Sequence, residues 1–281
     1  MQTTPLTPHL GVQVDGVDLA TLSAPGPDAD AFVRLLWEHG VVVVRDQELD
    51  RETHKELGRR FGPLHVHPSK RHPDARGDKE IFTVKAGEST RRVNGGRWHS
   101  DVSCDENPPA ASLLRLIDAP SVGGDTVFAD MHRAFTTLSA PIRELLVGLE
   151  AFHDGRRDLR WYGIELQPGQ TYPSYTHPVV VAHPVTGRPT LHVNEAFTEH
   201  IVGLESLESE AVLSMLYDHI ARRPELHCRV RWEPGTVVIW DNRAVQHHAV
   251  ADYLPSYRCM HRVTVVSDRR AEAERTGAAA S

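Results

Sequence analysis

Apolar residues follow two different spacings along the chain. Near the start their spacing is helical, and it predicts helices over Asp28–His39 and Arg51–Phe61. Between these helices, Val41–Val44 is an unbroken apolar run, which is typical of a buried strand. Ahead of them, Leu10–Leu19 alternates around Asp15-Gly16, a pattern that predicts a hairpin with a two-residue turn.

From about residue 81 onward, short runs with strand propensity alternate with Gly, Pro and Asn turns. The predicted strands are Ile81–Lys85, Ala111–Ile117, Thr126–Ala129, Val179–Ala182, Thr190–Val193, Cys228–Trp232, Thr236–Trp240 and Arg258–Val266. Two helices interrupt this series, one from the cap Ser139 to about Glu150 and one from about Ser206 that ends before Pro224. The pattern predicts a mainly β (α+β) fold, an antiparallel double-sheet barrel that carries helices.

Two segments break the pattern and are candidate lids. Residues 87–97 are polar and rich in Gly and Arg, and residues 154–176 are long and show no clear period. For the second segment, a plain surface loop is an equal alternative. The chain has no internal repeat or linker, so we predict one domain over residues 1–281, with a disordered Ala-rich tail at 276–281.

Composition narrows the class of protein. The formal net charge of −7 over 281 residues argues against nucleic acid as a partner. The three cysteines are few and widely spaced, which indicates reduced thiols. The first residues contain no basic and apolar signal pattern, and no apolar run is long enough to cross a bilayer. We therefore expect a soluble cytoplasmic protein with no membrane partner, either a monomer or a homo-oligomer.

Three His-x-carboxylate triplets are candidate metal ligands: His54-Lys55-Glu56, His72-Pro73-Asp74 and His99-Ser100-Asp101. The first lies in a predicted helix, where residues two apart point roughly 200° away from each other. The second flanks a proline in a polar loop with no strand signal. The third leads into an extended segment, where His99 and Asp101 would face the same side. For this triplet alone, a purely structural role is an equal alternative to metal binding.

A third ligand is available from His247 or His248, which follow the predicted strand that ends at Trp240. Adjacent residues on a strand point to opposite faces, so at most one of them could join His99 and Asp101. Spacing does not decide which one. Two imidazoles and one carboxylate form the ligand set of non-haem Fe(II) sites that keep positions open for other molecules.

Two arginines follow these histidines in a run with strand propensity. Arg258 and Arg262 are four residues apart, so their side chains share one face of the strand. Buried arginines are costly unless they meet anions. They could form structural salt bridges with acidic neighbours, or they could clamp the carboxylate or sulfonate groups of ligands.

At this point the sequence resembles the taurine dioxygenase-like family of Fe(II)- and 2-oxoglutarate-dependent oxygenases. The matching segments extend over most of the chain, in order and at the family's spacing. They are WHSDV at Trp98–Val102, PSVGGDTVFADM at Pro120–Met131, HPVVVAHPVTGRPTLHVNEAF at His177–Phe197, and WDNRAVQHHAVADYLPSYRCMHR at Trp240–Arg262.

The resemblance implies a double-stranded β-helix (jelly-roll) core and a set of cofactors. It implies Fe(II) as the metal, with His247 as the third ligand beside His99 and Asp101. It implies 2-oxoglutarate and O2 as co-substrates, with Arg258 and Thr126 binding the distal carboxylate of 2-oxoglutarate.

The resemblance also implies a substrate end of the pocket. Arg262 would hold an anionic group of the substrate, His67 would contact the substrate, and Phe197 would form an aromatic wall. The backbone of Val102 would lie at the same end.

Three positions depart from the taurine enzymes. Lys70 stands in place of a tyrosine, Gly95 in place of an asparagine, with Asn94 adjacent, and Gly155 in place of an aromatic residue. Our hypothesis is that the substrate has an anionic group that Arg262 holds but is not taurine, and that it could be larger. Six arginines in the candidate lids could contact it or could simply be solvated: Arg91, Arg92, Arg97, Arg156, Arg157 and Arg160.

The leading functional prediction is a dioxygenase that hydroxylates a small anionic molecule and releases succinate and CO2. A sulfonate, an alkyl sulfate or an aryloxyalkanoate would suit it, and the hydroxylated product could then collapse. The alternative within the family is a biosynthetic hydroxylase or desaturase of an amino acid or phosphonate. More remote alternatives are a zinc hydrolase and a non-catalytic metal-binding jelly roll.

Overall fold

The computed structural model describes residues 1–71 and 76–266. Its strands are β1 Gln2–Pro5, β2 Val12–Asp15, β3 Val41–Val44, β4 Ile81–Ala86, β5 Pro109–Asp118, β6 Thr126–Asp130, β7 Glu150–Asp154, β8 Ser174–Pro178, β9 Val180–Ala182, β10 Pro189–Leu191, β11 Thr198–Ile201, β12 His227–Val230, β13 Val237–Asp241, β14 Val245–Ala249 and β15 Arg258–Val266. Its α-helices are α1 Leu19–Leu22, α2 Pro27–His39, α3 Arg51–Arg59, α4 Met131–Thr136, α5 Ala140–Leu146, α6 Gly155–Tyr162 and α7 Ser206–Ala221. None of the described helices combines the length and apolar character that crossing a bilayer requires.

The largest sheet has seven strands in the order β1-β2-β3-β13-β5-β15-β4. Its neighbours pair antiparallel, except for the parallel pair β2 and β3. The central strand β13 is buried at every position, because β3 and β5 flank it and both faces are covered. On one face, helices α1 to α3 pack Leu19, Phe32 and Leu57 against Val42 and Val44.

A second sheet, β12-β6-β14, covers the other face of the large sheet. Val41 and Val43 point toward it, since successive side chains on a strand alternate between faces, and they join Phe128, Val245 and Met260 in one cluster. Two facing antiparallel sheets with one shared core form the jelly roll that the sequence predicted. The site described below lies at one end of this core.

A third sheet, β11-β7-β8, and the hairpin β9-β10 pack with α4, α5 and α7. Most of these strands are short and carry polar residues, and the sequence did not predict β7, β8 or β11. Nor did it predict α4, whose N-cap Asp130 accepts a hydrogen bond from the Arg133 amide.

The predicted hairpin over Leu10–Leu19 is wrong. The strand Val12–Asp15 pairs with the N-terminal strand β1 and, in parallel, with β3. The chain does not turn back after Asp15, because Asp18 caps helix α1 through the Ala20 amide. A local cap competes here with the turn that the Asp-Gly pair favours.

Several other predictions are confirmed, including the helix before His39 and the strands Val41–Val44 and Arg258–Val266. The predicted tail at 276–281 and the triplet at 72–74 lie outside the described residues. The assignment of the whole chain to one domain stays a prediction.

Candidate metal centre and substrate cavity

Three predicted ligands meet at one point between the two sheets of the core. His247 lies on β14, and His99 pairs with it through two backbone hydrogen bonds of 3.1 Å and 2.9 Å. The Asp101 Oδ1 lies 3.7 Å from the His99 Nε2 and 3.9 Å from the His247 Nε2. All three residues are buried, and their ligand atoms lie within 4.8 Å of one another. This spacing can hold a single metal ion.

Asn242 fixes the backbone at Asp101. Its Oδ1 accepts from the Asp101 amide at 2.7 Å, and its Nδ2 donates to the carbonyls of Asp101 and Pro109, each at 2.9 Å. The Ser112 hydroxyl then donates to the Asp101 Oδ2 at 2.6 Å. One carboxylate oxygen is thereby held, and the other points to the two imidazoles.

The extended segment predicted from His99 to Val102 is only partly correct. His99 has strand pairing, but Asp101 begins a turn and Val102 adopts a positive φ of 49°. That region is unfavourable for a β-branched residue. The Asn242 hydrogen bonds and the burial of Val102 hold the turn in place.

The hydrogen bonding of His99 and the pKa shifts of Asp101 and His247 suit metal binding. The His99 Nδ1 lies 2.8 Å from the Arg97 carbonyl, to which it can donate, and this leaves the Nε2 lone pair free. Burial and, next, the charge of His99 keep the pKa of His247 well below its usual value. Burial opposes ionisation of Asp101, but Arg262 and the imidazoles outweigh it and lower the pKa of that carboxyl.

The structure separates His247 from His248. The His248 ring lies 5.6 Å from the ring of Trp98, on the opposite face of β14. Trp98 in turn stacks on His227 at 4.9 Å. The position of His247 therefore agrees with the assignment that the resemblance implied.

A cavity of about 270 Å³ opens beside the three ligands. It is lined by all but one of the predicted cofactor and substrate residues: His67, Asn94, Val102, Thr126, Phe197, Arg258 and Arg262. The exception is Lys70, which does not line it. The Ser69 amide donates to the His67 Nδ1 in the 3₁₀ turn Pro68–Lys70, and this turn presents Ser69 to the cavity instead.

Arg258 is a buried cation without a carboxylate partner in the described part of the chain. Only 4% of its surface is exposed, and its guanidinium lies 5.8 Å from the Trp232 ring and 5.6 Å from the Tyr253 ring. Burial lowers its pKa. The Thr126 hydroxyl accepts from the Trp232 Nε1 at 3.0 Å, which places Thr126 in the same corner. A buried charge of this kind needs an anion.

Arg262 lies on the same face of β15 and contacts the Asp101 carboxylate directly. Its guanidinium also lies 5.1 Å from the Phe82 ring, on which His67 packs at 4.3 Å. Enclosure by the cavity and, next, the charge of Arg262 lower the pKa of His67 to about 3. Arg262 thus forms one of the salt bridges considered above and also lines the cavity.

The comparisons with known proteins agree with this geometry. The family described as "Taurine catabolism dioxygenase TauD, TfdA family" matches residues 2–264. The chain belongs to this dioxygenase family.

Individual relatives cover nearly all of the dioxygenase. An α-ketoglutarate-dependent sulfonate dioxygenase of Saccharomyces cerevisiae is 37% identical over 95% of this chain and 67% of its own length. An α-ketoglutarate-dependent sulfate ester dioxygenase of Pseudomonas putida is 33% identical over 94% of this chain and 89% of its own. The crystal structure of a taurine dioxygenase from Burkholderia xenovorans superposes with a TM-score of 0.78 at 35% identity, covering 95% and 91% of the two chains.

These matches establish the type of reaction. The dioxygenase is an oxidoreductase that uses 2-oxoglutarate (α-ketoglutarate) and O2 as co-substrates. They favour the leading prediction over the zinc hydrolase and the non-catalytic jelly roll.

The cavity of the dioxygenase is covered by elements that the sequence did not predict. Residues 154–176 contain helix α6 and the start of β8, so the prediction of an irregular segment is wrong for these two parts and holds for the residues between them. The two candidate lids contact each other here, because the Tyr162 hydroxyl accepts from the Gly95 amide at 2.9 Å and Arg97 pairs with Asp158 at 2.9 Å. Helix α6 and the segment between α6 and β8 form the cover of the cavity. This cover contributes five residues to the cavity lining: Asp158, Leu159, Tyr162, Ile164 and Tyr172.

The arginines of the candidate lids stabilise this cover. The Trp161 ring lies 4.2 Å from the guanidinium of Arg92 and 4.8 Å from that of Arg97. Others contact acidic side chains or carbonyls: Arg156 with Asp154, Arg157 with the Glu195 carbonyl and Arg160 with Glu199. Arg91 is exposed, and of the six only Arg97 lines the cavity. Five of the six therefore have internal partners, so simple solvation does not describe them.

The pocket wall expected to be missing at Gly155 is supplied from elsewhere. A Cβ atom placed on Gly155 would lie 2.3 Å from the Tyr172 Cδ1. The Tyr172 ring therefore occupies the space next to residue 155. The sequence does not indicate that Tyr172 replaces the missing aromatic wall, because Tyr172 and Gly155 are far apart along the chain.

Proposed function

We propose that the dioxygenase binds Fe(II) through His99, Asp101 and His247 and hydroxylates a small anionic organic substrate. One observation carries the proposal: two buried arginines line the same cavity as three convergent metal ligands. One arginine would serve the co-substrate and the other the substrate.

The donor set fits Fe(II). Two imidazoles and a carboxylate would hold the ion and would leave positions for other ligands. The metal, when bound, supplies O2 activation coupled to the oxidative decarboxylation of 2-oxoglutarate to succinate and CO2. The side chains of the protein hold the reactants in position relative to each other, and this positioning contributes much of the rate acceleration of the reaction.

Arg258 and Thr126 suit the distal carboxylate of 2-oxoglutarate. The guanidinium is planar and can donate two parallel hydrogen bonds to a carboxylate, while the Thr126 hydroxyl lies in the same corner. Binding of this anion would compensate the buried charge of Arg258. This explains why the corner holds a cation with no described carboxylate beside it.

Arg262 and His67 suit the anionic group of the substrate. Arg262 also contacts Asp101, so a bound anion would lie next to the metal. Relatives are named for sulfonates and sulfate esters, and we propose the same class for this chain, together with aryloxyalkanoates. Hydroxylation at the carbon that bears the sulfonate sulfur, the sulfate ester oxygen or the ether oxygen would give a product that collapses to a carbonyl compound and releases sulfite, sulfate or the aryl alcohol.

A substrate screen with matched variants tests the proposal. Succinate formation is measured with the Fe(II)-loaded enzyme, 2-oxoglutarate and a panel of sulfonates, alkyl sulfates, aryloxyalkanoates, phosphonates and amino acids. We expect turnover with the first three classes, and Arg262→Gln should raise KM for those substrates while Arg258→Gln raises KM for 2-oxoglutarate. Stimulation by amino acids or phosphonates alone would instead favour the biosynthetic alternative.

A further inference from the structure

One wall of the cavity is formed by a ring that reaches over the first residue of α6. Tyr172 packs in one apolar cluster with Val102, Cys104, Ala196 and Phe197. All of these except Cys104 also line the cavity. Because Val102 follows Asp101 directly, the apolar wall begins beside the metal ligands.

Gly155 provides the seat for this ring. Its φ is not positive, so the backbone conformation does not require glycine. The lack of space around residue 155 requires glycine instead. An added Cβ would lie 2.3 Å and 2.7 Å from two carbons of the Tyr172 ring and 2.9 Å from the Cys104 Sγ. The Gly155 amide also donates to the Pro173 carbonyl at 3.0 Å. The absence of a side chain at residue 155 and the position of Tyr172 therefore depend on each other.

The carboxylates that line the cavity are already paired. Among the described lining residues, the only carboxylates are Asp101 and Asp158. Asp101 contacts Arg262, and Asp158 pairs with Arg97 at 2.9 Å. A substrate ammonium group would find no free carboxylate here, whereas an uncharged hydrocarbon would find an apolar surface.

We propose that Tyr172, seated on Gly155, determines specificity at the substrate end and selects anions that carry an uncharged apolar body of limited length. This inference rests on the proposed function, in which Arg262 binds the anionic group. It concerns what lies beyond that group. The ring comes from the segment between α6 and β8, so its replacement changes the cavity without touching a metal or co-substrate residue.

Linear alkanesulfonates of two to eight carbons are suitable probes. Their dissociation constants are measured by calorimetry under anaerobic conditions with the enzyme loaded with Fe(II) and 2-oxoglutarate, and succinate formation is measured in air. We expect affinity to rise about fourfold per methylene until the chain reaches Tyr172, and then to fall. Taurine and 1-propanesulfonate have matching shapes, and the uncharged propyl chain should bind at least about tenfold more tightly.

Substitutions at Tyr172 should move the length optimum. Tyr172→Ala should shift it by two or more carbons toward longer chains, while Tyr172→Phe should leave it in place. Tyr172→Leu should shift it less, and it provides a second measurement if the alanine variant does not fold. Circular dichroism and the affinity for 2-oxoglutarate serve as controls and should not change.

Gly155→Ala tests the seat itself. Alone it should weaken binding at every length, because the new methyl group must displace the Tyr172 ring. In the Tyr172→Ala background the same substitution should have little effect, so the two changes should be strongly non-additive.

Two outcomes would separate this inference from the proposed function. If alkanesulfonates bind in an Arg262-dependent way but the length optimum is the same in Tyr172→Ala, or if taurine binds better than 1-propanesulfonate, the role of Tyr172 is overturned. If no anionic probe binds and Arg262→Gln changes nothing, the proposed function fails as well.

Discussion

The two ends of the cavity differ in how they are built. At the metal and co-substrate end, Thr126 and His247 lie on the paired strands β6 and β14, and Arg258 lies on β15, which pairs with β4 and β5 in the facing sheet. The substrate end is closed by α6 and the segment after it, held by side-chain contacts such as Arg97 with Asp158. Most groups of the reaction chemistry are thus anchored to the two sheets of the core, and substrate selection is placed on a cover that can vary independently.

The largest effect on turnover should come from a substitution at the metal and co-substrate end. Asp101→Ala removes a metal ligand and leaves Arg262 buried without its partner, so we expect turnover to fall by at least about 1000-fold and Fe(II) binding to be lost. Metal content after dialysis and succinate formation provide the measurements. Asp118→Ala, which changes an exposed carboxylate on β5, should behave as wild type. Full metal content in Asp101→Ala would contradict the assignment of Asp101 as a metal ligand.

The next effect divides the two arginines. Arg258→Gln should raise KM for 2-oxoglutarate about 100-fold, because the co-substrate loses a charge-assisted contact in a buried corner. Arg262→Gln should chiefly raise KM for the substrate. Steady-state kinetics with each reactant varied in turn would measure both, and each variant is the control for the other. Equal effects of both variants on 2-oxoglutarate would show that the two ends are not separate.

A smaller effect is expected from the cover. Arg97→Ala removes the partner of the partly buried Asp158 and one of the two cations beside Trp161, so kcat/KM for the substrate should fall about tenfold. KM for 2-oxoglutarate should change less than about twofold. Arg160→Ala, on the helix that also carries Asp158, breaks an exposed pair with Glu199 of β11 and should have almost no effect. A large change in 2-oxoglutarate binding by Arg97→Ala would show that the cover also affects the metal and co-substrate end.

The smallest effect concerns the stability of the large sheet, measured against pH. His54 on α3 is buried against the Leu113 carbonyl at 3.2 Å, and burial lowers its pKa to about 4. The unfolded chain takes up a proton near pH 6.5 while the folded chain does not, so stability is lost as pH falls from about 6.5 to 4. Urea unfolding should show a loss of up to about 3 kcal/mol over this range from His54. His54→Gln should flatten the slope, and an unchanged slope would assign it to other groups.

The same division decides how much could be predicted from the sequence. The strands β3 and β15 lie in runs with clear strand propensity and were predicted with their bounds, whereas the polar strand β14 was not. The spacing of His99 and Asp101 identified a candidate site. The choice of His247 over His248 needed the resemblance, because alternation along a strand only shows that the two residues point apart.

The cover was not predictable in this way. Helix α6 has the sequence GRRDLRWY, with three arginines and no apolar stripe, and its stability depends on tertiary contacts with the segment before His99. The proximity of Tyr172 to Gly155 is also tertiary. Lys70 was misplaced because a short turn rotates it away from the cavity.

The hydrogen bonds of Asn242 have a consequence for the order in which the enzyme matures. The residue that holds Asp101 in place, like the ligand His247, is synthesised long after His99 and Asp101. A nascent chain that has emerged only as far as β12 contains two of the three ligands but cannot hold them in their final arrangement. If Fe(II) binds to this site as proposed, we therefore expect it to be acquired only after translation has passed β14.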